Sequence, residues 1–441
     1  MSRLYEQLKK YGKSGFYSMH MPGHKGKLCA FDITEISDFD NLANPGGILK
    51  ELEESWARVY GAKTAHISVN GSTGAILSAI CGSINKGDKI IMARNCHKSV
   101  YNAAELMEAK QSYIFPDYDE IGIAKGIKKE AVEEAILQNP DAKLVIITSP
   151  TYEGVISETE GIIKACHKNN IPVLIDMAHG AHLKFMGEEE RVYKEADAVA
   201  ISLHKTLPSL TQTALLLLNG KRIDKKRIKE KLNVFNTSSP SYILMSSVSG
   251  CLDSVKNRES FDTYKKNLEG FYKETASLKN LEIKEQSDIG KIVISTAKTN
   301  ISGKALLKRL RDDFKIELEM AYDNYALAMT SVCDKKKAFK KLKKALFKID
   351  KELKAEEVKT VIYPTPKQTK KKPSGEKELV PRSKSEGRIC ADYLWAYPPG
   401  VPIIAPNEVI DSATIAYLKN IKDTEIYGSN GSDGKRILVY K

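Results

Sequence analysis

Two residues that could share one reaction stand at the ends of two apolar runs. Ala198-Val199-Ala200-Ile201 leads into Ser202-Leu203-His204-Lys205, and Val173-Leu174-Ile175 leads into Asp176. Short apolar runs of this kind read as strands buried on both faces of a parallel sheet, and such sheets place ligands at the carboxyl ends of their strands. One strand end offers an amine, the other a carboxylate. An amine that condenses with an aldehyde and an anion that pairs with a protonated ring nitrogen are what pyridoxal phosphate (PLP) requires. Lys205 is the expected covalent anchor, because desolvation and a cationic neighbour make a lysine amine reactive. Asp176 is the expected partner of the ring nitrogen. Alone, Lys205 would read as a lysine reaching from a strand end to water and Asp176 as a helix cap.

Further groups tip the balance towards the cofactor. Asn70-Gly71-Ser72-Thr73-Gly74 joins a strand to a helix, a junction that points backbone N–H groups and hydroxyls at an anion. Ser72, Thr73 and Gly74 are expected to hold the phosphate, with Ser202 and His204 beside them; in isolation the same turn is an ordinary helix start. His97, in Asn95-Cys96-His97-Lys98-Ser99, is expected to lie on the face of the ring, the alternative being a helix-capping histidine. His179 follows Asp176 closely and is assigned to the cofactor side. A metal set of Asp176, His179 and His182 ranks below the cofactor, because no further Cys or His lies nearby to complete a closed zinc site. All eight histidines lie at or before residue 204, so the first half of the chain builds the site.

The elements that must position these residues alternate. Thr64–Val69, Lys89–Ala93, Lys143–Thr148, Val173–Ile175 and Ala198–Ile201 read as strands, with Ala214–Leu218 as an added one. Ser72–Ile84, Ser99–Ala109 and Glu160–Asn169 read as helices between them. The pattern predicts an α/β fold, a mostly parallel sheet covered by helices, followed by a smaller C-terminal α+β region. Lys225–Lys231, one long helix over Tyr242–Ala276, a strand over Lys291–Ser295 and a helix over Lys304–Phe314 follow. A lysine-rich helix spans Lys335–Lys354, with Asp334 placed to cap it. The expected organisation is an N-terminal arm (1–50), a large domain (51–285), a small α+β domain (286–363), an exposed Pro-rich connector (364–384) and a C-terminal segment (385–441).

Bulk properties exclude other classes. The 441 residues suffice for two or three domains. No apolar run reaches about 18 residues, so no membrane helix is expected, and the first residues do not resemble a signal peptide. Seven cysteines without CxxC spacing fit a reduced, cytoplasmic protein rather than a disulfide framework or a zinc site. The net charge of +13 raises nucleic-acid binding as an alternative. The lysines, however, cluster in polar segments such as Lys335–Lys337 and Lys370–Lys372 without interleaved aromatic residues. No nucleic-acid or membrane partner is therefore expected.

Taken together, the motifs resemble the Orn/Lys/Arg decarboxylase family, PLP enzymes of the aspartate-aminotransferase fold type (fold type I). The segments that carry the resemblance are Met21–Gly26, Val69–Thr73, Arg94–Ser99, Asp176–Gly180, Ser202–Leu207, Thr237–Tyr242 and Tyr397-Pro398-Pro399-Gly400. The resemblance is to the family's short form. It implies a homodimer or higher homo-oligomer with shared active sites, Thr237 and Ser238 reaching the cofactor phosphate of a neighbouring subunit. Two positions depart from the family pattern: Met177 stands where an acidic residue often follows the ring aspartate, and Asn407 replaces the glycine of a Pro-Gly-Glu turn.

The resemblance implies decarboxylation of a small basic amino acid, arginine, lysine or ornithine, for polyamine metabolism, with arginine to agmatine favoured by analogy with short-form relatives. The catalytic set is Lys205, Asp176 and His97. Glu319, Asp323 and Glu408 are candidates for the anion that holds the distal cation of the substrate. Arg94 and Arg388 are candidates for a carboxylate clamp, which would favour an aminotransferase instead. A catalytically dead regulatory relative would have lost Lys205 or Asp176, and the chain keeps both.

Overall fold

The apolar runs become the strands of one twisted sheet because each is long enough to cross it and apolar on both faces. The computed structural model describes every residue except 1–2, 359–362, 370–372, 374, 397–399, 420 and 422–424. The sheet comprises β1 (Thr64–Ser68), β2 (Lys89–Ala93), β3 (Lys110–Ile114), β4 (Leu144–Thr148), β5 (Val173–Asp176), β6 (Ala198–Ser202) and β7 (Ala214–Leu218), in the order β1-β7-β6-β5-β4-β2-β3. β3, β2, β4, β5 and β6 are parallel neighbours. β7 runs antiparallel between β6 and β1, which makes β1 parallel to the rest. Six strands therefore point their carboxyl ends at one edge. β7, all Leu after Ala214, is wholly buried.

Helices cover both faces. Gly71–Ser83 is buried on most sides and packs against β7 and the helix Lys225–Phe235. A second core forms around β8 (Glu282–Lys284), β9 (Lys291–Ser295), β10 (Met320–Ala321) and β11 (Tyr325–Met329), ordered β10-β11-β9-β8. It draws Tyr264, Leu268 and Phe271 from the helix Arg258–Thr275, ahead of residue 286. The last part of the chain adds β12 (Lys377–Pro381), β13 (Leu394–Ala396), β14 (Pro402–Ile404), β15 (Ile426–Gly428) and β16 (Arg436–Tyr440), with a third small core.

Several expectations shift. The helix predicted over Tyr242–Ala276 is two, Tyr242–Val255 and Arg258–Thr275, because Asn257 caps the second through its side chain (Ser260 N to Oδ1, 3.4 Å). Asp334 does not cap the lysine-rich helix, which starts at Lys336; its carboxylate accepts from Ser331 N at 2.9 Å. That helix buries Phe339, Leu342, Leu346 and Ile349 and turns most of its lysines outward. The helix Arg3–Gly12 within the arm, β3 and the helix Lys129–Gln138 were not expected. Part of the connector pairs as β12 with β16. Asn407 adopts φ +70°, so the turn keeps the left-handed conformation glycine would give. Met177 is fully buried in the core. Of the Tyr397–Gly400 motif only Gly400 lies within the described residues, and Lys370–Lys372 lie outside them.

Candidate active site

The parallel strand ends surround a cavity of about 460 Å³. β6 passes at Ser202 into a single helical turn, Leu203–Thr206, so Lys205 projects from that turn rather than from the strand itself. Its Nζ lies 2.9 Å from His179 Nε2. Asp176, the last residue of β5, pairs in register with Ala200 of β6. It is 2% exposed and accepts from Ala178 N at 3.0 Å. Burial pushes the Asp176 pKa up, against the pull of Lys205. Burial pushes the Lys205 pKa down, against Asp176 and Glu319 and with the help of Lys291. The cavity thus shifts the Lys205 amine towards its uncharged, nucleophilic form.

His97 both caps and faces the cavity. Its Nδ1 accepts from Ser99 N (3.2 Å) at the start of the helix Lys98–Leu106. Burial, Lys205 and Lys98 push its pKa down to about 4, which leaves a flat, uncharged ring near neutral pH. His179 is buried beneath Tyr152, ring centroids 4.6 Å apart, and burial followed by Lys205 holds it well below the usual histidine range. His182 turns elsewhere. Its Nε2 meets Asp288 Oδ1 at 2.9 Å, and Asp288 meets Lys291 Nζ at 2.8 Å. Lys291 in turn donates to the His179 carbonyl at 3.3 Å. The set Asp176, His179 and His182 therefore does not converge, and the described residues hold no group of three that could bind a metal.

The β1–helix junction forms one end of the cavity. Gly71 takes φ +65° and donates to the Gln212 carbonyl (2.8 Å), which brings Ser72 and Thr73 onto the wall. Ser202 and His204 join them there, His204 fixed by the Thr213 carbonyl (Nδ1 at 2.9 Å). Gly74 is off the wall: its N–H bonds Asn70 O (3.1 Å), and a Cβ would meet Ser68 Oγ at 3.0 Å. It lets the helix close on the strand. Ser202 Oγ, Asn95 Oδ1 and His179 Nδ1 are buried without a hydrogen-bond partner among the described residues. Asp176 forms no salt bridge among them. A helix start lined by hydroxyls, a flat histidine, orphaned polar atoms and a buried carboxylate that feels the charge of Lys205 fit a phosphorylated, protonated heteroaromatic aldehyde.

Several expected contacts go elsewhere. Glu408 is fully buried and bound by Arg94 through two bonds, Nε–Oε1 2.8 Å and Nη2–Oε2 2.9 Å. Arg94 also donates to the Pro402 carbonyl at 2.7 Å. Each cancels the other, so neither is left for a substrate. Arg388 lies outside the cavity, spent on Glu378 and the Tyr440 carbonyl, both at 2.8 Å. Asp323 is exposed and off the wall. Glu319 is on it, accepting from the Tyr152 hydroxyl. Thr237 and Ser238 are exposed and do not line this chain's own cavity. Sequence reasoning missed Thr151, Tyr152 and Glu153 after β4, Phe115 and Tyr118 after β3, and Gln212. The strand-end rule that found Asp176 and Lys205 would have found the β4 set, had it been applied to Thr148.

Comparison with known proteins bears on the whole chain. The profile of the Orn/Lys/Arg decarboxylase major domain matches residues 2–294, and that of the Orn/Lys/Arg decarboxylase C-terminal domain matches residues 348–426. An arginine decarboxylase of Bacillus subtilis is 30% identical over 95% of this chain and 93% of its own length. One of Halalkalibacterium halodurans is 31% identical over 94% and 92%. Among solved structures, a lysine decarboxylase of Francisella novicida superposes over all of this chain and 81% of its own, at 18% identity and a TM-score of 0.84. The fold is that of fold-type-I PLP enzymes.

Proposed function

This chain belongs to the Orn/Lys/Arg decarboxylase family, and from that premise we propose that it decarboxylates a basic amino acid, arginine foremost, through Lys205 and Asp176. The family assignment makes it a PLP-dependent amino-acid decarboxylase. The observation that carries the residue roles is the placement of the Lys205 amine and of the Asp176 carboxyl, which forms no salt bridge among the described residues, at the ends of neighbouring strands on one cavity.

Bound PLP supplies an aldehyde that captures amines and a protonated ring that accepts electrons from the bond broken at Cα. Lys205, whose amine burial shifts towards the uncharged form, would hold the aldehyde and give way to the substrate amine. Asp176 would hold the ring nitrogen protonated, since a buried carboxyl that forms no salt bridge among the described residues gains most from a cation. His97 offers a neutral ring to the cofactor face. Ser72, Thr73, Ser202 and His204 would hold the phosphate end. Lys205, 2.9 Å from His179, would take up the proton that the substrate's ammonium gives up and return it to Cα once carbon dioxide has left. With Arg94 and Arg388 occupied, no candidate clamp holds the carboxylate in place, which supports its loss over amino transfer.

Arginine is favoured because three relatives that match over more than nine-tenths of both chains are named arginine decarboxylases. We place the working enzyme in the cytoplasm as a homodimer, with Thr237 and Ser238 directed at a second copy; their exposure away from the chain's own cavity supports that assignment. No helix among the described residues is long and apolar enough to cross a membrane. The test is release of labelled carbon dioxide from carboxyl-labelled arginine, lysine and ornithine by the PLP-loaded protein. Carbon dioxide with the matching amine supports the proposal; keto acid without carbon dioxide refutes it.

A further inference from the structure

The cavity continues past Lys205 into a compartment unlike the cofactor end. Along the sheet edge the order is β1, β7, β6, β5, β4, β2, β3. The phosphate-side residues Ser72 and Thr73 follow β1, and Lys205 follows β6. Glu153 follows β4 and Tyr118 follows β3. At a strand spacing of nearly 5 Å, β4 lies about 10 Å beyond β6, on the side away from the phosphate. Glu153 and the rings around it thus line the same cavity as Lys205, across β5 from it and away from Ser72 and Thr73.

Four tyrosines on the cavity wall gather there around one buried carboxylate. Tyr118 and Tyr363 stack at 4.2 Å with their planes 5° apart, and Tyr363 meets Tyr417 at 4.8 Å. Tyr322 extends the wall from the β10–β11 hairpin. Glu153 is 8% exposed and accepts from the Tyr325 hydroxyl at 2.9 Å. No cationic side chain among the described residues forms a salt bridge with it. Burial raises its pKa, as expected of a carboxylate waiting for a cation. Tyr152 links this compartment to the amine, with its ring on His179 and its hydroxyl on Glu319.

Resting on the decarboxylase reading above, we propose that Glu153, walled by Tyr118, Tyr322, Tyr363 and Tyr417, receives the distal cation of the substrate and selects a guanidinium over an ammonium. A guanidinium is planar, weakly hydrated and stacks on aromatic faces while pairing with a carboxylate through two N–H groups. An ammonium is a compact, strongly hydrated point charge, and a wall of rings repays little of its desolvation. Tyr118 and Tyr363 already touch, so the cation lies against their wall rather than between them. Glu153, not Glu319, is the primary anion, because it is buried among the rings while Glu319 is exposed at the rim.

The test compares the PLP-loaded wild type with Glu153→Gln and Tyr322→Leu, each checked for folding by circular dichroism. Calorimetry measures binding of agmatine, which carries a guanidinium, and of cadaverine, which carries ammonium groups only; kinetics follow arginine and lysine. Glu153→Gln keeps the shape and the Tyr325 contact and removes the charge. Loss of a charge-assisted contact predicts agmatine binding and the KM for arginine weakened roughly tenfold or more, with kcat largely retained. Tyr322→Leu should narrow the agmatine-to-cadaverine ratio in the same direction. Unchanged agmatine affinity in both variants, or wild type that binds cadaverine as tightly as agmatine, overturns the proposal. Absence of carbon dioxide from every basic amino acid, with agmatine selectivity intact and lost in Glu153→Gln, would overturn the decarboxylase reading and leave this compartment's role standing.

Discussion

Glu408→Gln separates a structural anion from a substrate-binding one. The substitution keeps volume and one acceptor oxygen but removes the charge opposite Arg94. Arg94 is 5% exposed and Glu408 0%, so water cannot replace the lost partner. The guanidinium is bound bidentately, at 2.8 and 2.9 Å, while Ala405 N donates to the same carboxylate at 2.7 Å. Breaking a buried ion pair from one side costs about 3–5 kcal/mol, most of it the penalty of the stranded charge. The pair ties the end of β2 to the chain around β14, so the loss falls on the docking of the C-terminal region. Thermal melting and limited proteolysis of Glu408→Gln, Arg94→Met and the double variant measure it. The double variant should be less destabilised than the two single effects added together, because it strands no charge. A Glu408→Gln protein that melts like wild type yet changes its preference between arginine and lysine would refute the reasoning and restore Glu408 as a substrate anion.

Other perturbations follow from the same geometry. Asp288→Asn should destabilise the fold by about 3 kcal/mol or more, since it leaves Lys291 buried without its counter-ion; denaturant unfolding measures it. Because His182 and Lys291 hold the Asp288 carboxyl well below its ordinary pKa despite burial, its contribution is complete above about pH 4 and fades as pH falls through the lowered folded value. Loss of stability on acidification should therefore be blunted in Asp288→Asn, and an unaltered profile would contradict the pairing. Asp176→Ala should lower kcat about 100-fold or more while the cofactor still binds, judged by its absorbance, because an electrostatic partner of the reacting ring is removed; near-normal turnover would remove Asp176 from the mechanism.

Much of the site was legible because its chemistry sits at the ends of local apolar patterns. Asp176 and Lys205 each terminate a run that forms a strand under almost any packing, and the Gly71-Ser72-Thr73 turn carries its conformation in its residue types. The less legible parts depend on distance or on weak patterns. Arg94 and Glu408 are 314 residues apart, so no spacing rule could show that they neutralise each other. β3 is an edge strand, Lys-Gln-Ser-Tyr-Ile, with one fully buried residue, and lacks the apolar run that marked its neighbours. The break at Lys256-Asn257 hid inside continuous helical periodicity, because Asn both ends one helix and caps the next. The tyrosines around Glu153 come from four separate stretches of chain and become a compartment only when the fold gathers them.

The central claim is that Lys205 holds the cofactor. Borohydride reduction of the PLP-loaded protein, followed by peptide mapping by mass spectrometry, tests it directly. The account predicts a phosphopyridoxyl group on the peptide containing Lys205, and neither label nor carbon dioxide release in Lys205→Ala. A label on another lysine, or full decarboxylation by Lys205→Ala, would contradict it.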